Sequence, residues 1–219
     1  MAAQKFDRNT LPPTPDLAFE TALWGQGMRF VAGVDEAGRG ALAGPVAAGA
    51  IILPADPGLP GVLYGVRDSK QMSPAERELW AERLRNITLG CAVGFATHQE
   101  IDELGIVPAT RLAARRAVEA LPATPQHLLV DFLDLPEIHI PQTSLVKGDA
   151  RSLSIAAASI LAKTARDALM RQLDWEYPGY SFARHKGYGT LVHRLALMEL
   201  GPSPVHRLSF TFSKPLSGD

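Results

Sequence analysis

The residues in this sequence that are best suited to chemistry are two adjacent carboxylates, Asp35 and Glu36. They follow the apolar run 31–34, which has the composition of a buried strand, and precede the turn Gly38-Arg39-Gly40. Crowding two carboxylates in a partly buried place is costly unless a cation neutralises them, which favours a divalent metal ion. Adjacent strand residues point to opposite faces, so both acids serve one site only if the strand ends there. Taken alone, the pair is explained as well by a solvated acidic turn.

Two further apolar segments also end in an acid, namely 127–130 before Asp131 and 143–146 shortly before Asp149. Strand ends at one edge of an α/β sheet are where functional sites are built, so these carboxylates could converge with Asp35 and Glu36. Carboxylates without a histidine or cysteine pair suit Mg²⁺ or Mn²⁺ better than zinc. Such clusters can hold two metal ions about 3.5–4 Å apart that activate water and stabilise a leaving oxygen. The leading chemistry is therefore hydrolysis of a phosphodiester.

The elements that must position these acids form an α/β pattern with a mixed sheet and helices packed on it. Ser73-Pro74-Ala75-Glu76 predicts a helix start, with a serine cap, proline at the first position and glutamate three residues after the serine. We expect Pro108 to break the helical region 99–121 in two. The predicted strands are 31–36, 46–53, 62–66, 89–96, 127–131 and 143–146, and the other predicted helices are 73–86, 152–175 and 190–200. The predicted organisation is a lead-in at 1–28, a catalytic domain at 29–177 and a small helical segment at 178–219.

Composition limits the class of protein. The chain of 219 residues, 46% hydrophobic and 21% charged, is long enough for one sizeable core. No apolar run approaches a membrane span and the N-terminus lacks a signal pattern, so we expect a cytoplasmic protein that does not bind membranes. Cys91 is the single cysteine, which excludes an intramolecular disulfide and a cysteine-based zinc site.

The distribution of charge is more informative than the net charge of −1. Residues 1–146 carry 12 Lys/Arg and 17 Asp/Glu, whereas residues 147–214 carry 10 Lys/Arg and 5 Asp/Glu. A basic C-terminal third facing an acidic site suits a metal-dependent enzyme that acts on nucleic acid. Solvated helix faces would give the same count.

Several motifs in order along the chain resemble the bacterial ribonuclease HII family, the type 2 ribonucleases H. They are Asp35-Glu36-Ala37-Gly38-Arg39-Gly40, Asp68-Ser69-Lys70, Lys147-Gly148-Asp149, Ala157-Ala158-Ser159-Ile160-Leu161-Ala162-Lys163 and His185-Lys186-Gly187-Tyr188. The resemblance implies a ribonuclease H-like fold, with a mixed five-stranded sheet flanked by helices and a small C-terminal helical segment. It implies an endoribonuclease that uses a divalent metal, Mn²⁺ or Mg²⁺, to hydrolyse the RNA strand of RNA–DNA hybrids. It also implies cutting on the 5′ side of single ribonucleotides in duplex DNA, leaving 3′-hydroxyl and 5′-phosphate ends, for ribonucleotide excision repair and primer removal in replication.

The same resemblance assigns roles to particular residues. The metal-binding carboxylates would be Asp35, Glu36, Asp131 and Asp149. The turn Gly38-Arg39-Gly40 would read the ribose 2′-hydroxyl, Tyr188 would stack on the following deoxyribose, and Lys70 and Lys163 would contact phosphates. One departure is Phe132, which follows the third carboxylate where the family usually has glycine, and which leaves Asp134 as a fallback ligand. A site contained in one chain makes a monomer the expected state.

Some of these residues have structural explanations that remain open. Asp68 would cap the loop before the helix at Ser73, and Asp167 would form exposed helical ion pairs with Lys163 and Arg171. His185 and Lys186 would contact phosphates, or His185 would fix its loop by hydrogen bonds. Tyr188 could instead plug the small segment onto the large domain.

Two other classes of protein share part of the pattern. Gly38-Arg39-Gly40 with Gly44 imitates a dinucleotide-binding turn, although the two preceding acids would repel a pyrophosphate and the β-branched run after Pro45 favours a strand over a helix. A non-catalytic nucleic-acid-binding module would keep the basic C-terminal third but would need no carboxylate cluster.

Overall fold

A computed structural model of the protein describes residues 11–212 and contains one mixed sheet with helices on both faces. The strands are β1 (Val31–Ala37), β2 (Val46–Ile52), β3 (Gly90–Ala96), β4 (His127–Asp131) and β5 (Gln142–Leu145). The helices are α1 (Ala18–Gly25), α2 (Leu59–Val62), α3 (Pro74–Ile87), α4 (His98–Leu104), α5 (Ile106–Glu119), α6 (Leu153–Glu176), α7 (Phe182–His185) and α8 (Leu191–Leu200). Single 3₁₀ turns at Ser69–Gln71 and Gly148–Ala150 complete the description.

The sheet places β1 at its centre, in the order β3-β2-β1-β4-β5. β1 pairs antiparallel with β2 and parallel with β4, and β4 pairs parallel with β5. Val34 lies opposite Val130 in the β1–β4 register, so Asp35 and Asp131 follow at the same end of neighbouring strands. The predicted mixed five-stranded sheet flanked by helices is confirmed.

Helix α6 lies unusually close to the sheet because glycines face it. A Cβ on Gly33 of β1 would lie 2.3 Å from the backbone carbon of Ser154, and one on Gly49 of β2 would lie 2.4 Å from the carbonyl oxygen of Ala158. Only glycine fits such a contact, since anything larger would push the helix off the sheet. The α6 face of the sheet, completed by α3, and the opposite face, covered by α5, each carry a buried apolar cluster.

The short strand predicted at 62–66 is wrong. Leu59, Leu63 and Val66 are buried at helical spacing, whereas Val62 and Tyr64 are exposed, so the segment forms α2 and turns instead of a strand. Gly65 then adopts a φ of +101°, which breaks any extended run.

The predicted break at Pro108 is displaced. The chain bends at Gly105, whose φ of +83° ends α4 and begins α5, and Pro108 lies in the first turn of α5. Proline is tolerated there because the first amides of a helix have no intrahelical partner. The predicted cap before α3 is confirmed as a full capping box between Ser73 and Glu76.

The lead-in contains a short helix, α1, which anchors the start of α6. Glu20 of α1 is fully buried, and its Oε1 accepts hydrogen bonds from the Ser152 hydroxyl and from the Ser154 hydroxyl and amide. A third buried cluster, which includes Ala43, Met170 and Phe182, packs the segment after residue 178 against α6. The division at residues 28 and 177 stays a prediction, and residues 1–10 and 213–219 of its outer parts lie outside the described residues.

Between residues 11 and 212, the helices are all too short or too polar to cross a bilayer.

Candidate active site

Three carboxylates converge at one end of the sheet. Asp35 lies near the end of β1, Asp131 ends β4, and Asp149 lies in the 3₁₀ turn shortly after β5. One carboxylate oxygen from each residue lies within 4.8 Å of the other two. Asp35 and Asp149 are only 5% and 4% exposed, and the Gly148 amide donates to Asp131 Oδ1 at 2.7 Å. The parallel β1–β4–β5 arrangement therefore gathers acids that lie 96 and 18 residues apart in sequence.

The cluster is electrostatically strained. Burial raises the pKa of Asp35 well above its ordinary value, and the charges of Glu36, Asp131 and Asp149 raise it further. Burial and the charge of Asp149 likewise raise the pKa of Asp131 to about 6. Carboxylates that resist ionisation in this way are stabilised by a nearby cation, which is the property expected of a metal-binding site.

Glu36 lies beside this group but not within it. Its Oε1 pairs with Arg39 Nη1 at 3.2 Å, and the other three carboxylates form the group that meets within 4.8 Å. The strand alternation predicted for adjacent acids is the reason, because β1 continues to Ala37 before the turn. A rotation of the Glu36 side chain away from Arg39 would be needed to bring its carboxylate onto a shared ion.

The fallback residue Asp134 is exposed and outside the carboxylate group. Its carbonyl oxygen accepts a hydrogen bond from Arg111, which ties the loop to α5. Phe132 between the two acids has a positive φ of 53° and is 66% exposed, and the Leu133 amide donates to the Asp131 carbonyl across it. The phenylalanine therefore adopts a backbone conformation that glycine would occupy with less strain.

The glycine turn continues directly from β1. Gly38 has a φ of +95°, and a Cβ there would lie 1.9 Å from Arg166 Nε. Gly40 is exposed, with nothing within 4 Å of the position of a Cβ. Residues 46–52 after the turn form β2 and not a helix, so the dinucleotide-binding alternative is wrong.

Tyr188 lies next to this turn. Its backbone forms a bridge with Ala41, and the Leu42 amide donates to the carbonyl of Gly187 at 2.8 Å. The half-buried ring has Lys163 Nζ at 5.7 Å and Arg166 Cζ at 5.5 Å from its centroid. Tyrosine and turn thus form one surface beside the acidic cluster.

Lys70 borders the acids from the other side. Its Nζ lies 3.3 Å from Asp149 Oδ2 and 3.8 Å from Asp68 Oδ1. Burial alone would lower the pKa of Lys70, but Asp68 and Asp149 raise it above its ordinary value. Asp68 accepts a hydrogen bond from the Lys70 amide and caps the Ser69–Gln71 turn, as its structural interpretation predicts.

The expected exposed pairs of Asp167 are wrong in part. Asp167 is buried and binds Lys163 at 2.7 Å and Arg77 at 3.2 Å, whereas Arg171 pairs with Glu78. α3 packs against this face of α6, so Asp167, which its spacing to Lys163 and Arg171 predicted to be exposed, lies in the contact between the two helices. Burial lowers the pKa of Lys163, partly offset by Asp167.

A groove of about 290 Å³ runs from this ion-pair network to Tyr188. Cationic side chains dominate its lining, which consists of Pro74, Arg77, Lys163, Asp167, Arg171, Arg184, His185, Lys186 and Tyr188. His185 itself fixes the loop, because its Nδ1 accepts from the Gly187 amide and its Nε2 lies 2.7 Å from the Tyr180 carbonyl oxygen.

Two buried arginines are functional candidates that sequence reasoning missed. Arg166 and Arg207 are fully buried and donate to backbone carbonyls of residues 38–45. The acceptors of Arg207 lie more than 160 positions away, so no local spacing indicates the contact. Arg166 does carry a local signal, because it lies four residues after Ala162 and four before Met170, both of which are buried on the same helix.

The fold and the acidic strand ends define a protein of the ribonuclease H class. The structure resembles that of ribonuclease H2 from Pyrococcus horikoshii OT3, with a TM-score of 0.68 and 27% identity over 83% of this chain and 94% of the other. It also shares its fold with Bst-RNase HIII in complex with Mn²⁺, with a TM-score of 0.62 and 20% identity over 88% of this chain and 71% of the other.

The sequence itself is more specific. The family model described as Ribonuclease HII matches residues 32–213. The ribonuclease HII of Synechococcus sp. (strain JA-3-3Ab) is 56% identical over 196 residues, covering 90% of this chain and 88% of that relative. The chain belongs to the ribonuclease HII family, and it is a ribonuclease H, an endoribonuclease acting on the RNA of RNA–DNA hybrids. Membership in this enzyme family excludes the non-catalytic binding module.

Proposed function

We propose that this enzyme also cuts duplex DNA on the 5′ side of a single embedded ribonucleotide, leaving 3′-hydroxyl and 5′-phosphate ends. The observation that carries the proposal is the continuity between acids and turn. Asp35 lies three residues before Gly38, and Tyr188 is bridged to Ala41 just beyond the turn. A sugar held at the turn would therefore present its phosphate to the acidic cluster.

Asp35, Asp131 and Asp149 fit a divalent ion, with Glu36 as a further ligand if its pairing with Arg39 opens. Three carboxylates within 4.8 Å, two of them buried, form a hard oxygen donor set with unfavourable mutual repulsion. Mg²⁺ and Mn²⁺ both suit that donor set. When bound, two such ions activate a water nucleophile and stabilise the leaving oxygen of a phosphodiester.

The turn and Tyr188 would read the sugars at the junction. A ribose 2′-hydroxyl is both donor and acceptor, so it can pair with backbone groups that the open space around Gly40 leaves accessible. The ring of Tyr188 would pack against the next sugar, where a hydroxyl would be obstructed. Lys163 and Arg166 beside the ring help to hold it in place.

The basic side chains would bind the phosphates of the nucleic-acid backbone. Lys70 lies within reach of both the acids and solvent, with 75% of its side chain exposed, and would contact a phosphate beside the metal site. Lys163 and the cationic groove beyond Tyr188 would follow the phosphates of the same strand. All the groups come from one chain, which supports action as a monomer in ribonucleotide excision repair and primer removal.

The test is cleavage of an end-labelled DNA duplex that contains one ribonucleotide, with an all-DNA duplex and an RNA–DNA hybrid alongside. We expect one cut on the 5′ side of the ribonucleotide, loss of the cut in EDTA, and restoration by Mg²⁺ or Mn²⁺. Extension of the upstream product by a DNA polymerase would report its 3′-hydroxyl. Cleavage of the hybrid with no cut at the embedded ribonucleotide would refute the proposal.

A pair of variants tests the metal ligands in the same assay. Asp131→Asn should abolish cleavage, because it removes an oxygen of the three-carboxylate group. Asp134→Asn is the matched control and should retain wild-type cleavage, because Asp134 is exposed outside that group. The reverse result would transfer the assignment to Asp134.

A further inference from the structure

We propose that Arg207 is a positioning residue that holds the peptide groups of Gly38 and Arg39 in the orientation that distinguishes a ribose from a deoxyribose. The inference rests on the proposed reading of the 2′-hydroxyl by the turn. It places one source of that selectivity in a residue that is far from the acids and the turn in sequence but contacts the turn in the folded protein.

All three guanidinium nitrogens of Arg207 donate to backbone carbonyls in the turn and in the segment that follows it. Its Nη2 donates to the Gly38 carbonyl, its Nη1 to the Arg39 carbonyl and its Nε to the Gly44 carbonyl, each at 2.9 Å. The backbone adds to this attachment, because the Arg207 amide donates to the Leu42 carbonyl at 2.9 Å. A planar fork with fixed donors can orient several carbonyls at once, which a flexible ammonium cannot do.

The direction of these carbonyls fixes the direction of the next amides. In a planar trans peptide the carbonyl and the following N–H point in opposite directions. With the Gly38 and Arg39 carbonyls turned inward to Arg207, the amides of Arg39 and Gly40 point outward. Within the described residues neither amide has a hydrogen-bond partner, so both are available to a sugar hydroxyl.

The cost of burying this side chain argues against a role in packing alone. Arg207 is fully buried, and across residues 11–212 no carboxylate lies within 4.0 Å of its guanidinium or of the neighbouring Arg166. Burial, followed by the charge of Arg166, lowers the pKa of Arg207 to about 9, so the group stays charged at neutral pH. Well-packed apolar side chains usually stabilise an interior as well as buried charges do. The buried guanidinium of Arg207 instead donates to backbone carbonyls of residues 38–44, which orients that segment.

Arg166 extends the same framework to Tyr188. It donates to the carbonyls of Pro45, Ala43 and Lys186, and its Cζ lies 5.5 Å from the centroid of the Tyr188 ring. The two arginines thus connect both sugar-reading elements through hydrogen bonds to backbone. Arg207 is the one that contacts Gly38 and Arg39 and is therefore the one to test.

The experiment measures ribose preference, defined as the Kd for an all-DNA duplex divided by the Kd for the same duplex with one ribonucleotide. Binding is followed by fluorescence anisotropy in EDTA, so that no cleavage intervenes. An unfolded fraction weakens binding to both duplexes by the same factor and cancels in the ratio. The two duplexes carry the same backbone charge, so a general loss of phosphate attraction also cancels.

We expect Arg207→Met to lower the ribose preference about fivefold, the equivalent of one lost or misdirected hydrogen bond. Arg207→Lys keeps the charge but not the fork and should lie between wild type and Arg207→Met. The matched control is Arg116→Met, which removes a guanidinium bound to the Phe95 carbonyl and Glu100 and should leave the preference unchanged.

An unchanged preference in both Arg207 variants would overturn the inference, even if their thermal stability falls. A wild-type protein with no ribose preference would instead overturn the proposed reading of the 2′-hydroxyl by the turn. Equal losses of preference in Arg116→Met and Arg207→Met would also count against a specific role for Arg207, since the loss would then not depend on contact with the turn.

Discussion

The buried Glu20 gives the sharpest stability prediction. Its Oε1 accepts three hydrogen bonds at the start of α6, at 2.6 Å from Ser152 Oγ, 2.6 Å from Ser154 Oγ and 2.9 Å from the Ser154 amide. The Ser152 amide in turn donates to the Gly148 carbonyl in the turn that carries Asp149. Glu20 therefore fastens α1, the start of α6 and the third acid of the site to one another.

Glu20→Ala should lower the free energy of unfolding by roughly 3–5 kcal/mol. Each hydrogen bond contributes about 0.5–1.5 kcal/mol, and a donor left buried without a partner costs about 1–3 kcal/mol more, while partial re-pairing of the hydroxyls reduces the sum. For a protein of this size about 2–4 °C of melting temperature corresponds to each kcal/mol, so the midpoint should fall by roughly 10 °C. Circular dichroism against temperature, with urea unfolding for the free energy, measures both quantities.

Two companion variants make this prediction specific. Glu20→Gln keeps the Oε1 acceptor and replaces Oε2, which has no hydrogen-bond partner among the described residues, so it should cost about half as much as Glu20→Ala. Glu78→Ala removes an exposed ion pair with Arg171 and should cost about 1 kcal/mol or less. A midpoint for Glu20→Ala within about 2 °C of wild type would refute the reasoning.

Other consequences can be measured directly. Asp35→Asn should abolish cleavage and spare substrate affinity, and undiminished turnover would refute its role as a metal ligand. Tyr188→Ala should weaken cleavage at an isolated ribonucleotide more than in an all-RNA strand, and equal losses would indicate a structural tyrosine. Burial lowers the pKa of His193 and of His206 to about 4, so at these two rings the unfolded chain takes up protons that the folded protein does not. Their contribution to stability should therefore be lost as pH drops from about 6.5 to 4, and the difference in unfolding free energy between wild type and His206→Gln should shrink across that range. Activity should fall steeply between roughly 50 and 200 mM salt because the basic side chains release counterions from the duplex, and a flat profile would count against them as the duplex clamp.

Hydrogen bonds support the neutral state of these two histidines. The Nδ1 of His193 lies 3.0 Å from the Tyr188 carbonyl oxygen and must donate to it, so its Nε2 accepts from His206 Nε2 at 2.9 Å. The Nδ1 of His206 in turn accepts from the Ser203 amide at 2.8 Å. A proton added to either ring would place two donors against each other, which is the physical reason for the predicted loss of stability in acid.

Local sequence signals predicted the parts of the fold that depend on neighbouring residues. The capping box at Ser73 depends on residues three positions apart, and the acid-tipped runs before Asp131 and Asp149 depend on composition alone. The strand predicted at 62–66 failed because an apolar run without clear periodicity fits a helical turn as well. The helical region breaks at Gly105 and not at Pro108, because a proline in the first turn of a helix destabilises it little.

The remaining features depend on partners far away in sequence. The burial of Asp167 follows from the packing of α3 against α6, which spacing within α6 does not reveal. The pairing of Glu36 with Arg39, set by strand alternation at the end of β1, left three acids in the group where the motif suggested four. The contacts of Arg207 are the hardest to predict from sequence. Its guanidinium binds only backbone carbonyls, so no acidic residue at a helical spacing indicates its partners.

The parallel pairing of β1 with β4 also determines when this enzyme can become active. Asp35, Asp131 and Asp149 meet only after strands separated by most of a domain have paired, and such long-range contacts form late in folding. Arg207 comes still later in the order of synthesis, yet it holds the turn that follows β1. A partly synthesised chain that lacks Asp149 would therefore carry the first acids without the complete carboxylate group. On the inference above, ribose selectivity would additionally require residue 207 to dock on the turn.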